Sequence, residues 1–267
     1  MMSADTQATP FDLNPGSDRL LHQLLYASAR LNPETTALVD PSNKQALTGT
    51  EPQRLNYRQL TDKIDRLSAL LLQQGLSRHD ILLVQMPNIV ELVWVYLAAS
   101  RLGVIISPVP VQYQQHELGE ILHQLQPAAV ISVAQLKGDD FVAPLRNAIE
   151  EQAHKKNKPA PPLLVWGETH DSFNLSSAME VPLNTTQLQG YLDNIELNAD
   201  QVLTICWTSG TEGKPKGIPR SHRQWLSVGR ATFEGNQIEQ GEALLNPFPF
   251  INMASIGGLF LSWLYSG

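Results

Sequence analysis

An α/β architecture, doubly wound around mostly parallel strands with helices packed on the sheet faces, is predicted by three features of the chain. Between residues 80 and 133, short apolar runs of strand length alternate with segments whose apolar residues recur at helical spacing. The 267 residues are 42% hydrophobic, enough to build one large domain or two small ones around a core. A run rich in glycine, hydroxyls and lysine at 208–222 follows the apolar stretch 202–207, as ligand loops follow the carboxyl ends of parallel strands.

Residues 1–17 are polar and lack the charged start and apolar run of a secretory signal, so they read as a flexible tail and point to a cytoplasmic protein. Across 18–31, Leu20, Leu21, Leu24, Leu25 and Leu31 recur at helical spacing, with Ser17 or Asp18 placed to cap the start. Residues 36–39 read as a strand and 41–54 as a loop. A helix opens near 55, with Leu60, Ile64, Leu67, Leu70 and Leu71 on one stripe and Gly75 at its end.

The run 80–86 is a strand, Asn88 is placed to cap a helix over 89–102, and Gly103 stops it. A strand at 104–109, a helix at 115–125 carrying Leu118, Ile121, Leu122 and Leu125, and a strand at 128–133 continue the alternation. A helix is expected over 141–153. The lysine- and proline-bearing run 154–162 reads as an exposed connection, with its lysines solvated rather than forming a nucleic-acid patch. Strand 163–166 and a polar segment to 198 lead to strand 202–207, and 221–229 reads as a short helix.

A net charge of −7 argues against nucleic acid as a partner. The longest apolar segment, 253–265, is too short to span a bilayer. The one cysteine, Cys206, lies within the apolar run before the loop and reads as a small core residue rather than a nucleophile.

The loop itself reads T-S-G-T-E-G-K-P-K-G-I-P-R-S-H. Gly210, Gly213 and Gly217 allow the backbone to bring N–H groups close to an anion. Thr208, Ser209 and Thr211 add hydroxyl donors, Lys214 and Lys216 add positive charge, and Pro215 and Pro219 stiffen the segment. It is not a Walker A loop, because no glycine stands at the required distance before a Gly-Lys-Ser/Thr end.

The order of residues resembles the T-S-G-T-T-G-x-P-K-G signature of the adenylate-forming superfamily of acyl-CoA synthetases, aryl-acid ligases, luciferases and peptide-synthetase adenylation domains. Two earlier runs strengthen the resemblance: L-N-Y-R-Q-L at 55–60 is similar to L-T-Y-x-E-L, and L-A-A-S-R-L-G-V-I-I-S-P-V-P at 97–110 is similar to L-x-A-x-x-x-G-A-x-x-x-P-x-x-P. Past the loop, N-P-F-P-F-I-N at 246–252 resembles a strand ending in P-L-F-H that borders the carboxylate substrate. The resemblance implies that 18–267 is an incomplete N-terminal AMP-binding domain. It also implies that Phe250, Asn252 and Gly257 line an acyl pocket.

Asn252 stands at the histidine position, where an amide hydrogen-bonds but does not titrate near neutral pH. A plain cap before a helix over 253–265 explains it equally well, and helix packing explains Gly257 and Gly258 as well as ligand approach does. Glu212 replaces a threonine. A carboxylate about 4 Å from a phosphate is repelled by roughly 1 kcal/mol in water, so Glu212 is expected to face outward or pair with Lys214. His222 either closes over the ligand or is an ordinary first-turn histidine.

What the resemblance implies chemically is a two-step ligase. A small carboxylic acid attacks the α-phosphorus of Mg-ATP to give an acyl-adenylate and pyrophosphate, and coenzyme A or a carrier-protein thiol then takes the acyl group. Thr208, Ser209, Gly210, Thr211, Gly213, Lys214 and Lys216 would hold the outer phosphates. The Mg2+ would be held mainly by the triphosphate and by residues outside this chain. The Y-G-x-T-E segment, the ribose-binding Asp, the hinge and the terminal catalytic lysine are absent before residue 267, so no complete catalytic set and no metal site is expected here. The I-P-R-S-H continuation resembles aryl-acid activating members, with medium-chain or fatty acids equally open. The alternative is a truncated, non-catalytic nucleotide-binding or interaction module, with Glu212 marking lost activity.

Overall fold

The alternation anticipated between residues 80 and 133 is present in the computed structural model, which describes residues 18–183, 185–208 and 215–267. The chain runs α1 (Leu21–Leu31), β1 (Thr36–Val39), α2 (Lys44–Thr48), β2 (Arg54–Asn56), α3 (Tyr57–Gln73), β3 (Ile81–Gln85), α4 (Val90–Leu102), β4 (Ile105–Pro108), α5 (Gln115–Leu125) and β5 (Ala129–Val133). It continues through β6 (Gln135–Leu136), β7 (Asp139–Asp140), α6 (Ala143–Lys156), β8 (Leu163–Trp166), β9 (Phe173–Asn174), α7 (Leu175–Glu180) and α8 (Thr186–Asn194). It closes with β10 (Val202–Thr208), β11 (Lys216–Ser221), α9 (His222–Gly235), a π-helix (Ala254–Phe260) and α10 (Leu261–Ser266).

Among the described residues the central sheet has seven strands in the order β11-β10-β4-β3-β5-β8-β9. Every neighbouring pair is parallel except β10 with β11. The chain passes from β4 on one side of β3 to β5 on the other, so the sheet is wound in both directions. Side chains on β3 alternate in destination: Leu82 and Val84 join the core beneath α1, α3 and α4, while Leu83 joins Leu118, Ile121, Leu122, Leu145 and Ile149 of α5 and α6. Burial on both faces is why this strand reads as a continuous apolar run rather than an alternation. The helix α4 is buried nearly all round, including Trp94, Tyr96 and Leu97, as suits a helix enclosed within the core.

Several expectations need correction, each for a tertiary reason. The first helix starts at Leu21 rather than 18, because Asp18 Oδ1 instead accepts from the Ala199 amide at 2.9 Å. Asn88 does not cap α4. The N-cap residue is Ile89, and the Asn88 side chain reaches across to residues 246–250. The loop expected at 41–54 contains α2, and the polar stretch before 198 contains β9, α7 and α8. The helix expected over 141–153 runs from Ala143 to Lys156, and that over 221–229 extends to Gly235.

Residues 246–252 form no strand, and the helix expected over 253–265 divides into the π-helix and α10. Glycines 257 and 258 supply no side chain to favour the tighter α-helical ladder in the first half. The segment 1–17 lies outside the described residues. No helix among the described residues is long and apolar enough to cross a membrane.

Candidate active site

Two paired strands, β10 and β11, flank the run 209–215. Strand β10 pairs in parallel with β4 on one side and antiparallel with β11 on the other, and the Cα partners run from Thr204↔Arg220 to Thr208↔Lys216. Thr208 and Lys216 therefore face each other at the mouth of the segment 209–215, and both are exposed. Ser209, Gly210, Thr211, Glu212, Gly213 and Lys214 lie outside the described residues. Strand β11 was not anticipated, because Pro219 and Gly217 read as loop residues. An edge strand tolerates both, since its outer N–H groups have no ladder partner to lose.

The root of the hairpin is clamped by side chains. Trp207 Nε1 donates to Ser107 Oγ at 2.8 Å, and Ser107 Oγ donates to the Ile205 carbonyl at 3.2 Å. On the other face Trp225 Nε1 donates to Thr204 Oγ1 at 2.9 Å, and the Arg220 guanidinium lies 5.4 Å from the Trp225 ring centroid. Gly217 has a packing role: a Cβ there would stand 2.8 Å from Ile205 Cγ2 and 3.5 Å from the Trp207 ring. Cys206 is partly buried, burial pushes its thiol up, and its nearest polar partner is Thr204 Oγ1 at 3.6 Å, all as a packed thiol behaves.

His222 is buried at the start of α9, with Nδ1 accepting from the Leu21 amide at 3.3 Å. Desolvation lowers its pKa to about 4, so it is neutral and serves to dock α1. Of its two readings, the first-turn histidine is the one realised. Ser221 caps the same helix by accepting from the Gln224 amide at 3.2 Å.

The residues assigned to the acyl pocket are placed differently from one another. Phe250 is buried in an aromatic cluster, with its ring centroid 4.7 Å from Tyr96 and 4.9 Å from Phe260. Asn252 is exposed, and its Oδ1 accepts from the Ser255 amide at 3.1 Å in the first turn of the π-helix. Gly257 is buried against α9, where a Cβ would come within 2.6 Å of Val228 Cγ1. Phe250 and Gly257 thus support the segment that exposes Asn252.

Sequence reasoning missed a buried charge cluster at the first turn of α4. Lys44, fully buried, donates to Asp40 Oδ2 at 2.7 Å and to Glu91 Oε1 at 2.6 Å. Gln53 adds its amide N–H to Asp40 Oδ2 and its Nε2 to Glu91 Oε1, and Asp40 Oδ1 accepts from the Val90 amide at 2.9 Å. Burial raises the Glu91 pKa against the pull of Lys44. A glutamate inside the otherwise apolar helix 89–102 was the available signal, since a carboxylate there demands a partner.

A mostly parallel α/β sheet with helices on both faces defines the doubly wound class, in which ligands bind beyond the carboxyl ends of the strands. The AMP-binding enzyme family matches residues 25–267, and this chain is a member of that family. It is 30% identical over 218 residues to enterobactin synthase component E of Escherichia coli, covering 79% of this chain and 38% of that protein. It is 27% identical to propionate–CoA ligase of Salmonella typhimurium, covering 77% of this chain and 32% of that protein. Against long-chain-fatty-acid–CoA ligase FadD13 of Mycobacterium tuberculosis it is 26% identical, covering 90% of this chain and 42% of that protein.

The chain thus spans roughly a third to two-fifths of these curated relatives. The apo structure of Mycobacterium smegmatis MbtA shares the fold, with a TM-score of 0.76 at 20% identity over 94% of this chain and 43% of that one. So does the inhibitor-bound N-terminal domain of FACL13 from Mycobacterium tuberculosis, with a TM-score of 0.71 at 23% identity over 93% of this chain and 56% of that one.

Proposed function

We propose that this chain is the N-terminal part of an ATP-dependent carboxylic acid:thiol ligase, which forms an acyl-adenylate with release of pyrophosphate and passes the acyl group to coenzyme A or a carrier-protein thiol. The observation that carries this reading is the pairing of Thr208 with Lys216, which sets a hydroxyl-bearing and a lysine residue at the two ends of the glycine-bearing sequence 209–215. Both are exposed, as donors to a polyanion must be. ATP with Mg2+ supplies the activated phosphorus and the leaving pyrophosphate. This chain's part is to hold the outer phosphates and offset the charge that grows on them as pyrophosphate departs.

Membership of the family and the names of the relatives support the reading, and those names range from propionate to long-chain fatty acids and salicylate. The acid itself is open to a screen. Asn252, exposed at the head of the π-helix, is the residue we assign to the carboxylate side, with its Nδ2 hydrogens as the donors it can offer.

The test is acid-dependent exchange of pyrophosphate into ATP by the full-length enzyme, run with a panel of carboxylic acids. Lys216→Ala is expected to lower the exchange rate by about 100-fold or more, the scale for losing one preorganised transition-state donor. An unchanged rate removes Lys216 from the mechanism. ATP binding without exchange, for every acid, favours the non-catalytic nucleotide-binding module.

A further inference from the structure

Residues 246–250, Asn-Pro-Phe-Pro-Phe, join no sheet: Pro247 and Pro249 have no N–H to give a ladder. What a neighbouring strand would supply comes from one side chain. Asn88 Nδ2 donates to the Asn246 carbonyl at 3.2 Å and to the Phe248 carbonyl at 2.7 Å, while its Oδ1 accepts from the Phe250 amide at 3.0 Å. Three alternate residues are thereby held by one amide, which satisfies both of its donors and one acceptor position. Tyr96 Oη, from the same helix α4, donates to the Phe250 carbonyl at 2.9 Å.

Asn88 is itself fixed. It precedes α4 by two residues, and the first turn of α4 is anchored where Asp40 accepts from the Val90 amide and Lys44 binds Glu91. The strap then runs directly into Asn252 and the π-helix, a form of helix that recurs at functional sites. Asn246 Nδ2 closes the other end by donating to Ser255 Oγ at 2.9 Å.

We infer that Asn88 is a positioning residue for the acid side of the site: it sets where the 246–252 strap presents Asn252, and so governs how well the carboxylic acid is held, apart from the nucleotide. This rests on the ligase reading above. Losing the amide frees the strap at three points, whereas the β10–β11 hairpin shares none of these bonds.

The experiment uses the full-length enzyme with Asn88→Ala and Asn88→Asp. The second keeps the shape and the acceptor for Phe250 but loses the donors to Asn246 and Phe248. In the exchange assay both variants are expected to raise KM for the acid about 10-fold or more, the scale of one to two lost hydrogen bonds, with KM for ATP changed less than about twofold. Amide hydrogen exchange at Phe250 is expected to quicken in Asn88→Ala.

KM values for acid and ATP that stay unchanged, or rise in parallel, overturn the inference, as does unaltered exchange at Phe250. If Asn88→Ala does not fold, Asn88→Asp decides by the same comparison. Absence of acid-dependent exchange in the unmutated enzyme overturns the ligase reading instead, while the Phe250 amide still reports whether Asn88 holds the strap.

Discussion

The β10–β11 hairpin and the 246–252 strap are both short segments next to a helix, yet they are held by different forces. The hairpin is held by its own backbone ladder, six Cα pairs long from Val202↔Ser221 to Thr208↔Lys216, with tryptophan indoles bracing its root. The strap has no ladder, and its order comes from Asn88 and Tyr96, about 155 to 160 positions away in sequence, as for Asn88 with Phe248 (160) and Tyr96 with Phe250 (154). A ladder distributes its energy over many weak bonds, whereas a strap on one amide concentrates it. The hairpin should therefore yield gradually to mutation and the strap abruptly.

The largest effect on stability is expected from the charge cluster at the first turn of α4. Lys44→Ala leaves Asp40 and Glu91 buried without their cation, which costs about 3–5 kcal/mol. Urea unfolding should show the midpoint falling accordingly, with a loss under about 1 kcal/mol arguing that water or a proton on Glu91 compensates.

Next comes a pH effect on the hairpin side. His222 has a folded pKa of about 4 against an ordinary value of 6.5, so between these values the unfolded chain binds more protons than the folded one. The stability tied to a neutral His222 is complete above about pH 6.5 and drains away as pH falls toward 4, by up to about 3 kcal/mol. His222→Gln, which keeps an acceptor for the Leu21 amide, should flatten the stability profile across that window. An identical slope in the variant assigns the acid sensitivity to other groups.

The smallest expected change is at the end of β11. Ser221→Ala removes the cap of α9 and should cost about 1 kcal/mol in thermal unfolding, without altering acid or ATP KM in the exchange assay. A selective rise in KM for the acid would contradict the separation between hairpin and strap.

Much of the sheet was legible because its signals are local. Residues 81–85 and 129–133 are buried on both faces and read as mostly apolar runs of strand length, and the helix over 115–125 matches its expected bounds because Leu118, Ile121 and Leu122 recur on one face. Gly103, in the left-handed conformation at the end of α4, was equally readable. The misses share one cause. Asn88 has the composition of a cap and spends its amide on a distant carbonyl pair instead. Residues 216–221 carry loop residues and become a strand because β10 offers an edge. Lys44, polar and set in an expected loop, is buried because Asp40 and Glu91 converge on it.

Periodicity and residue order in the chain were sufficient for the α/β class and the membership of the AMP-binding family, because each is written in neighbours within one turn or one strand. Which amide holds the 246–252 strap, which histidine docks α1 and which glycine makes room for Ile205 depended on contacts formed only in the folded chain. Hydrogen bonds and burial act through space, and a one-dimensional pattern carries no record of which distant group will arrive to satisfy them.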